Sequence, residues 1–317
     1  MLRLVSYRPD PTTSWRAGIE REHAVINLAA YPGGGEGENT AGKYLSTRSF
    51  LAASKEEQEH ILAWASQQLD RSMGSTGSIG SIGSIGSMAV LSLDTVELGP
   101  PVPDPEKILC LGLNYPEHVA ESAMATPVVP TFFAKFRNSL VGPNSSVVLP
   151  TVSKFIDYEG ELAVIIGTRC KHVSEQDALA YVAGYTICND MSARDLQMQT
   201  SQWTAGKAID TFAPMGSGIV LARDIMDPQN LLLTTRVNGE VVQHANTSTM
   251  IFSVAAAIAF FSSFMTLEPG DIIATGTPSG VGGKRQPPLF LHAGDIVEVE
   301  IEQIGTIRNQ MVADASM

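Results

Sequence analysis

Three acids fall at every second position in Ile156-Asp157-Tyr158-Glu159-Gly160-Glu161, and an apolar run of β character follows from Leu162 to Gly167. Residues two apart on a strand point to the same face, so Asp157, Glu159 and Glu161 project together. Carboxylates crowded on one face repel each other, and burying them unpaired is costly. A divalent cation is the simplest way to hold such a cluster, and an oxygen-only ligand set favours Mg²⁺, Ca²⁺ or Mn²⁺ over zinc. The competing reading is a strand with an acidic, solvated outer face. Spacing alone weighs the two evenly.

The chain has 317 residues, room for one large or two modest domains. Its 44% hydrophobic and 17% charged content describes a folded protein with a sizeable core. A net charge of −12 argues against a nucleic-acid footprint and against a polybasic membrane patch. It leaves anionic small substrates open, because local Arg and Lys residues can dominate a pocket. Cys110, Cys170 and Cys188 form no CxxC pair, so a disulfide scaffold is not expected and a reducing compartment fits. The N-terminus lacks the long apolar core of a signal peptide and reads as a first strand. Val254 to Phe261 is too short to span a bilayer. The chain reads as soluble and intracellular, cytoplasmic by default, with mitochondrial placement left open.

Short runs around Arg16 to Ile19 and Ala24 to Leu28 predict a small antiparallel sheet, and Pro32-Gly33-Gly34-Gly35 a loop. Ser54-Lys55-Glu56-Glu57 has the form of a capping box, opening a helix with Ile61, Leu62, Ala65 and Leu69 on one stripe. Gly74 is its expected stop. Residues 74–87, with Ser-Ile-Gly three times from Ser78 to Gly86, read as a flexible insertion without chemistry. Beyond Pro100-Pro101-Val102-Pro103, short β runs dominate, and Asn238-Gly239 marks a hairpin. Helices are expected only at Glu117 to Met124, Gln176 to Val182, Ala193 to Met198 and Val254 to Phe264. The class is mixed α+β, mostly β, with a small N-terminal domain over 1–95 and a second domain over 100–317.

Four further segments could carry chemistry. Pro116 suits the first position of a helix on which His118 and Glu121 share a face. A Glu beside a His raises imidazole basicity and fixes its tautomer, but an isolated HxxE is more often an ordinary surface pair. Asp190, at a strand end, could complete a metal shell or merely start a helix on which Arg194 and Gln197 share a face. Lys207 lies among small residues and alone reads as a surface lysine. Ala274-Thr275-Gly276-Thr277-Pro278-Ser279-Gly280 is a glycine-rich loop whose amides could cradle an anionic oxygen. It lacks the Lys-Ser/Thr ending of a P-loop, and a plain turn is the commoner reading. No GxSxG elbow or HExxH zinc motif occurs.

Taken in order, Gly112-Leu113-Asn114-Tyr115, His118 with Glu121, Glu159-Gly160-Glu161, Asp190 to Asp195 with Gln197, Gly206-Lys207 and Gly276 to Gly280 resemble the fumarylacetoacetate hydrolase family. The resemblance covers roughly residues 100–317. Phe133-Ala134-Lys135-Phe136, Gly142-Pro143 and Arg285-Gln286-Pro287-Pro288 look closest to the subgroup of animal FAH-domain-containing proteins. The resemblance implies a β-roll catalytic domain, a homodimer and one Mg²⁺ or Mn²⁺ held by Glu159, Glu161 and Asp190. It implies that His118 and Glu121 form the activating dyad on a lid, that Lys207 is the pocket lysine, and that Arg194, Gln197, Thr277 and Tyr115 face the substrate. Asp157 is not a family ligand and is expected to support the ligands from behind or to face solvent.

The expected activity is metal-dependent hydrolysis of a C–C bond in acylpyruvates or β-diketo acids through an enolate stabilised by the metal. Close in weight stands an oxaloacetate decarboxylase or keto–enol tautomerase using the same enolate chemistry without water attack. A non-catalytic metal- or ligand-binding protein, or a biosynthetic enzyme acting on a larger metabolite, is the remoter reading, since fold does not fix function. The partner is a small keto acid in each enzymatic case.

Overall fold

The computed structural model describes residues 1–33, 42–74 and 90–315. The Ser-Ile-Gly repeat and the Gly34-Gly35 half of the glycine loop lie outside them. The described residues are mostly β, with a 12-stranded sheet, a 5-stranded sheet and a two-stranded ribbon.

The large sheet is organised around strand Gly160–Ile166, seven consecutive buried residues. Burial on both faces explains why this strand reads as an unbroken apolar run after Glu161. Leu162, Val164 and Ile166 belong to the core shared with the small sheet, through Leu233, Val299 and Ile307. Ala163 and Ile165 belong to the opposite core, with Ile19, Ile26 and the expected stripe Ile61, Leu62, Ala65 and Leu69 of helix Lys55–Gly74. Each large aliphatic side chain buried this way contributes roughly 1.5–3 kcal/mol. The strand pairs antiparallel with Val182–Asn189 on one side and with Ile272–Ala274 on the other.

The N-terminal strands extend this same sheet. Arg3–Arg8 pairs antiparallel with Ala213–Leu221, which in turn pairs with Val182–Asn189. In the small sheet, Leu232–Val237 and Glu240–Asn246 form the expected hairpin, with Asn238 and Gly239 both at positive φ as a two-residue primed turn requires. Helix Val254–Phe264 matches its expected bounds. The other three are shorter: Pro116–Glu121, Arg194–Gln197 and a 3₁₀ turn at Ala178–Tyr181. The three cysteines are free and buried, so packing rather than cross-links holds the sheets.

Gly184 sits where its strand lies close against Ala213–Leu221. A Cβ there would collide with the backbone carbonyl of Val220 on the neighbouring strand. Gly184→Ala is expected to cost about 1–3 kcal/mol through overpacking. A urea denaturation midpoint unchanged from wild type would contradict this contact.

Candidate active site

Strand register assembles the acidic cluster. Gly160 pairs with Asn189 and Glu161 with Cys188, so Asp190, one residue past the strand end, falls beside Glu159. The Asp190 amide donates to the Glu159 carbonyl at 2.8 Å, and the Glu159 amide donates to Asn189 Oδ1 at 3.0 Å. Glu159, Glu161 and Asp190 each bring a carboxylate oxygen within 4.8 Å of the other two. They are 6%, 0% and 0% exposed, which excludes the solvated acidic face.

Three cations answer this charge. Lys207 Nζ donates to Glu159 Oε2 and to Asp190 Oδ2, both at 2.7 Å. Lys135 Nζ donates to Asp190 Oδ1 at 2.6 Å and to the Met191 carbonyl at 3.2 Å. Arg194 bridges two acids, with Nε 2.8 Å from Asp157 Oδ1 and Nη2 2.7 Å from Glu159 Oε1. Burial disfavours the charges on Lys207 and Arg194, and their ion pairs outweigh it. Lys207 stays protonated well beyond its ordinary range, because Asp190 and Glu159 outweigh burial. Burial also works against ionised Glu159, but Lys207 and Arg194 hold it well below the usual carboxylate range.

Asp157 joins the cluster from behind. It is fully buried, holds Arg194, and accepts from the Gly283 amide at 2.7 Å. Simple alternation along one strand does not explain its place. The chain breaks between Ile156–Asp157, which pairs with Ser192–Ala193, and Gly160–Ile166.

Glu161 is the unbalanced member. Its Oε2 accepts from the Gly276 amide at 2.8 Å, while its buried Oε1 has no hydrogen-bond partner among the described residues. Burial, followed by Asp190 and Glu159, pushes its carboxyl well above the usual range. An orphaned buried oxygen in an all-oxygen donor set fits a hard divalent cation held by Glu159, Glu161 and Asp190.

The His118–Glu121 pair is likewise built in. Pro116 occupies the first turn of its helix, and Asn114, fully buried, anchors the approach by donating to the Thr275 and Phe252 carbonyls and accepting from the Phe252 amide. His118 Nδ1 lies 2.7 Å from Glu121 Oε1, and Glu121 Oε2 accepts from the Gly280 amide at 2.9 Å. His118 is 7% exposed, unlike an ordinary surface pair. With Nδ1 engaged, Nε2 is the ring nitrogen left to meet a ligand.

A cavity of about 280 Å³ collects the predicted residues His118, Glu159, Arg194, Gln197, Lys207 and Thr277. Leu113, Met124, Phe133, Met198, Trp203 and Phe290 give it an apolar wall. Arg194 Nη1 donates to Gln197 Oε1 at 3.0 Å, so these two act as one unit. The Thr277 hydroxyl is already engaged, donating to the Gly160 carbonyl and accepting from Gln243 Nε2. Tyr115 does not line the cavity. It is buried, with burial raising its phenol pKa and its hydroxyl unpartnered. Sequence reasoning missed Lys135 as a site residue. Its strand, Thr131–Lys135, shows little alternation, and the one available signal was a lysine ending a mainly apolar run.

Two outcomes follow. Mn²⁺ or Mg²⁺ is expected to stabilise the protein by about 2.7 kcal/mol at 100 times its dissociation constant. Glu161→Gln should abolish that gain; a thermal shift persisting in the variant would place the metal elsewhere. Lys135→Met should destabilise by about 1–3 kcal/mol, because it leaves Asp190 Oδ1 buried without its donor while Lys207 still holds Oδ2. A calorimetric melt like that of wild type would show that Lys135 is dispensable.

Comparison with known proteins agrees with this geometry. The family described as fumarylacetoacetate (FAA) hydrolase C-terminal matches residues 107–312. The mitochondrial oxaloacetate tautomerase Fahd2a of Rattus norvegicus is 50% identical over 213 residues, 67% of this chain and 68% of that protein. The mitochondrial oxaloacetate tautomerase fahd2 of Xenopus laevis is 39% identical over 315 residues, 98% of this chain and 90% of that one. Maleylpyruvate hydrolase from Sphingobium sp. SYK-6, solved with manganese (II) ion and pyruvate, superposes with a TM-score of 0.71 at 28% identity, over 98% of this chain and 99% of that one. No helix among the described residues is long and apolar enough to cross a membrane. With its ordered motifs gathered in one cavity and the family match spanning most of the chain, this protein belongs to the fumarylacetoacetate hydrolase family.

Proposed function

We propose that the chain is a keto–enol tautomerase of a small 2-oxo dicarboxylic acid, oxaloacetate being the reference substrate. The observation that carries this reading is His118, held by Glu121, lining the same cavity as Glu159 and Lys207, the two members of the lysine-braced acidic cluster that reach it. The 39% and 50% identity to oxaloacetate tautomerases supports it. Those relatives also favour a mitochondrial setting over the cytoplasmic one.

A hard dication held by Glu159, Glu161 and Asp190 would supply Lewis-acid polarisation of the 2-oxo acid. The chain's own residues do the rest. His118 Nε2 takes a proton from carbon 3. The C3–H electron pair becomes the C2=C3 double bond, the carbonyl pair moves to the C2 oxygen, and a proton returned there completes the enol. Glu121 supports the imidazolium while His118 is protonated. Lys207 keeps its positive charge where negative charge develops. Arg194, held by Asp157, presents with Gln197 a polar edge for a substrate carboxylate. Nothing in this sequence needs a nucleophilic water.

A second reading is hydrolytic. The wall of Met124, Phe133, Met198, Trp203 and Phe290 suits an apolar acyl group better than a second carboxylate, whose burial there would be costly. One assay separates them. Purified protein with Mg²⁺ is given oxaloacetate and acetylpyruvate, while enol absorbance and pyruvate release are followed together. Enol equilibration of oxaloacetate without pyruvate is the expected result. Pyruvate from acetylpyruvate would establish hydrolysis instead, and pyruvate from oxaloacetate alone would establish decarboxylation. His118→Gln should lower the tautomerisation rate by about 10²–10⁴; full activity in that variant would remove His118 from the chemistry.

A further inference from the structure

We propose that a second cleft, at the junction of the N-terminal strands with residues 137–145, binds a small multiply charged anion such as a phosphate or a polycarboxylate. The cleft has a volume of about 720 Å³, and none of its lining residues lines the cavity holding His118 and Lys207. Three guanidinium groups face it, from Arg8, Arg16 and Arg137. Arg8 is committed to Glu97, with hydrogen bonds of 2.7 and 2.9 Å, and stacks on Trp15 at 4.4 Å. Asp104, the other acid in the lining, lies 3.9 Å from Arg48. Arg16, beside the Tyr7 phenol, and Arg137 have no carboxylate partner among the described residues.

The floor of the cleft carries the second observation. Ser6 and Thr47 are 2% and 1% exposed, and among the described residues neither hydroxyl oxygen, nor Asp104 Oδ1 in the same lining, has a hydrogen-bond partner. Buried polar atoms in folded proteins are nearly always satisfied, so three orphans on residues lining one cleft call for a ligand that is polar. Two guanidinium groups without a carboxylate partner in the same lining set its sign. An anion with several oxygens, one of them protonated as in hydrogen phosphate, meets these requirements, accepting from the arginines and offering a proton where Asp104 Oδ1 lacks a donor.

The test is isothermal titration of the full chain, with Mg²⁺ present, using inorganic phosphate and tricarballylate as separate probes. At least one probe is expected to saturate a single site, and which one binds identifies the oxyanion class. Arg16→Gln with Arg137→Gln should weaken binding by about 10-fold or more, the value of one lost charged hydrogen bond or greater. Thr47→Val, which keeps the shape and removes the hydroxyl, should also weaken it. Glu161→Gln, in the other cavity, should leave it unchanged. Absence of binding in wild type, unaltered binding in the double arginine variant, or loss of binding in Glu161→Gln would each overturn the proposal.

Discussion

Four carboxylates packed beside one cavity cannot all stay ionised unless opposite charge is built in with them. In this protein Asp157, Glu159, Glu161 and Asp190 are answered by Lys135, Lys207 and Arg194, three cations for four acids. The remaining acid, Glu161, has one oxygen on a backbone amide and one on nothing. The deficit is what suits the cluster to a hard cation and sets it apart from a finished salt-bridge network. A divalent ion would turn the site net positive, the sign an anionic keto acid needs.

The glycine-rich loop ties that cluster to the His118–Glu121 pair. Gly276 donates to Glu161 and Gly280 to Glu121, so one short loop fixes both the half-satisfied carboxylate and the one bonded to His118. Its amides act on the protein's own carboxylates. Gly276 has a φ of 94°, and a Cβ there would press on Asn114, the residue that anchors the approach to the dyad helix. The loop, the helix and the acidic strand therefore interlock, and the cavity is shaped before any ligand arrives. Preorganisation of this kind is how charge-stabilising sites avoid reorganisation at the moment of reaction.

Much of the site was legible because local pattern and tertiary role coincide. The Asn238-Gly239 turn, the stripe on helix Lys55–Gly74 and helix Val254–Phe264 each satisfy a rule that needs only neighbours in sequence. Glu159 and Glu161 were readable for the same reason, two positions apart at the head of a buried strand. Asp190, Lys207 and the dyad became specific only through motif order, since in isolation each has a commoner surface reading. Asp157 was readable as a neighbour of the ligands, but its burial and its pairing with Arg194, 37 residues on, were not. Lys135 escaped altogether, because its partner Asp190 lies 55 residues away on another element and no local period encodes such a contact. Burial of a charged side chain is a tertiary fact, visible in sequence only when its counter-charge sits within a turn or two.

The N-terminal segment is bound to the rest by main-chain pairing. Strand Arg3–Arg8 hydrogen-bonds to Ala213–Leu221, whose other edge carries the strand leading to Asp190. Leu140–Val141 pairs with the start of that same strand at Ala213 and Pro214. Just before it, Asn138 Nδ2 donates to the Ala208 carbonyl, next to Lys207, and to Asp210 Oδ1. Lys135 and Arg137 thus lie two residues apart on one clamped stretch, the first turned into the acidic cluster and the second lining the other cleft. A sheet shared between the two halves cannot let one cavity shift without moving a strand that also supports the other. That constraint makes the N-terminal strands part of the scaffold of the active site.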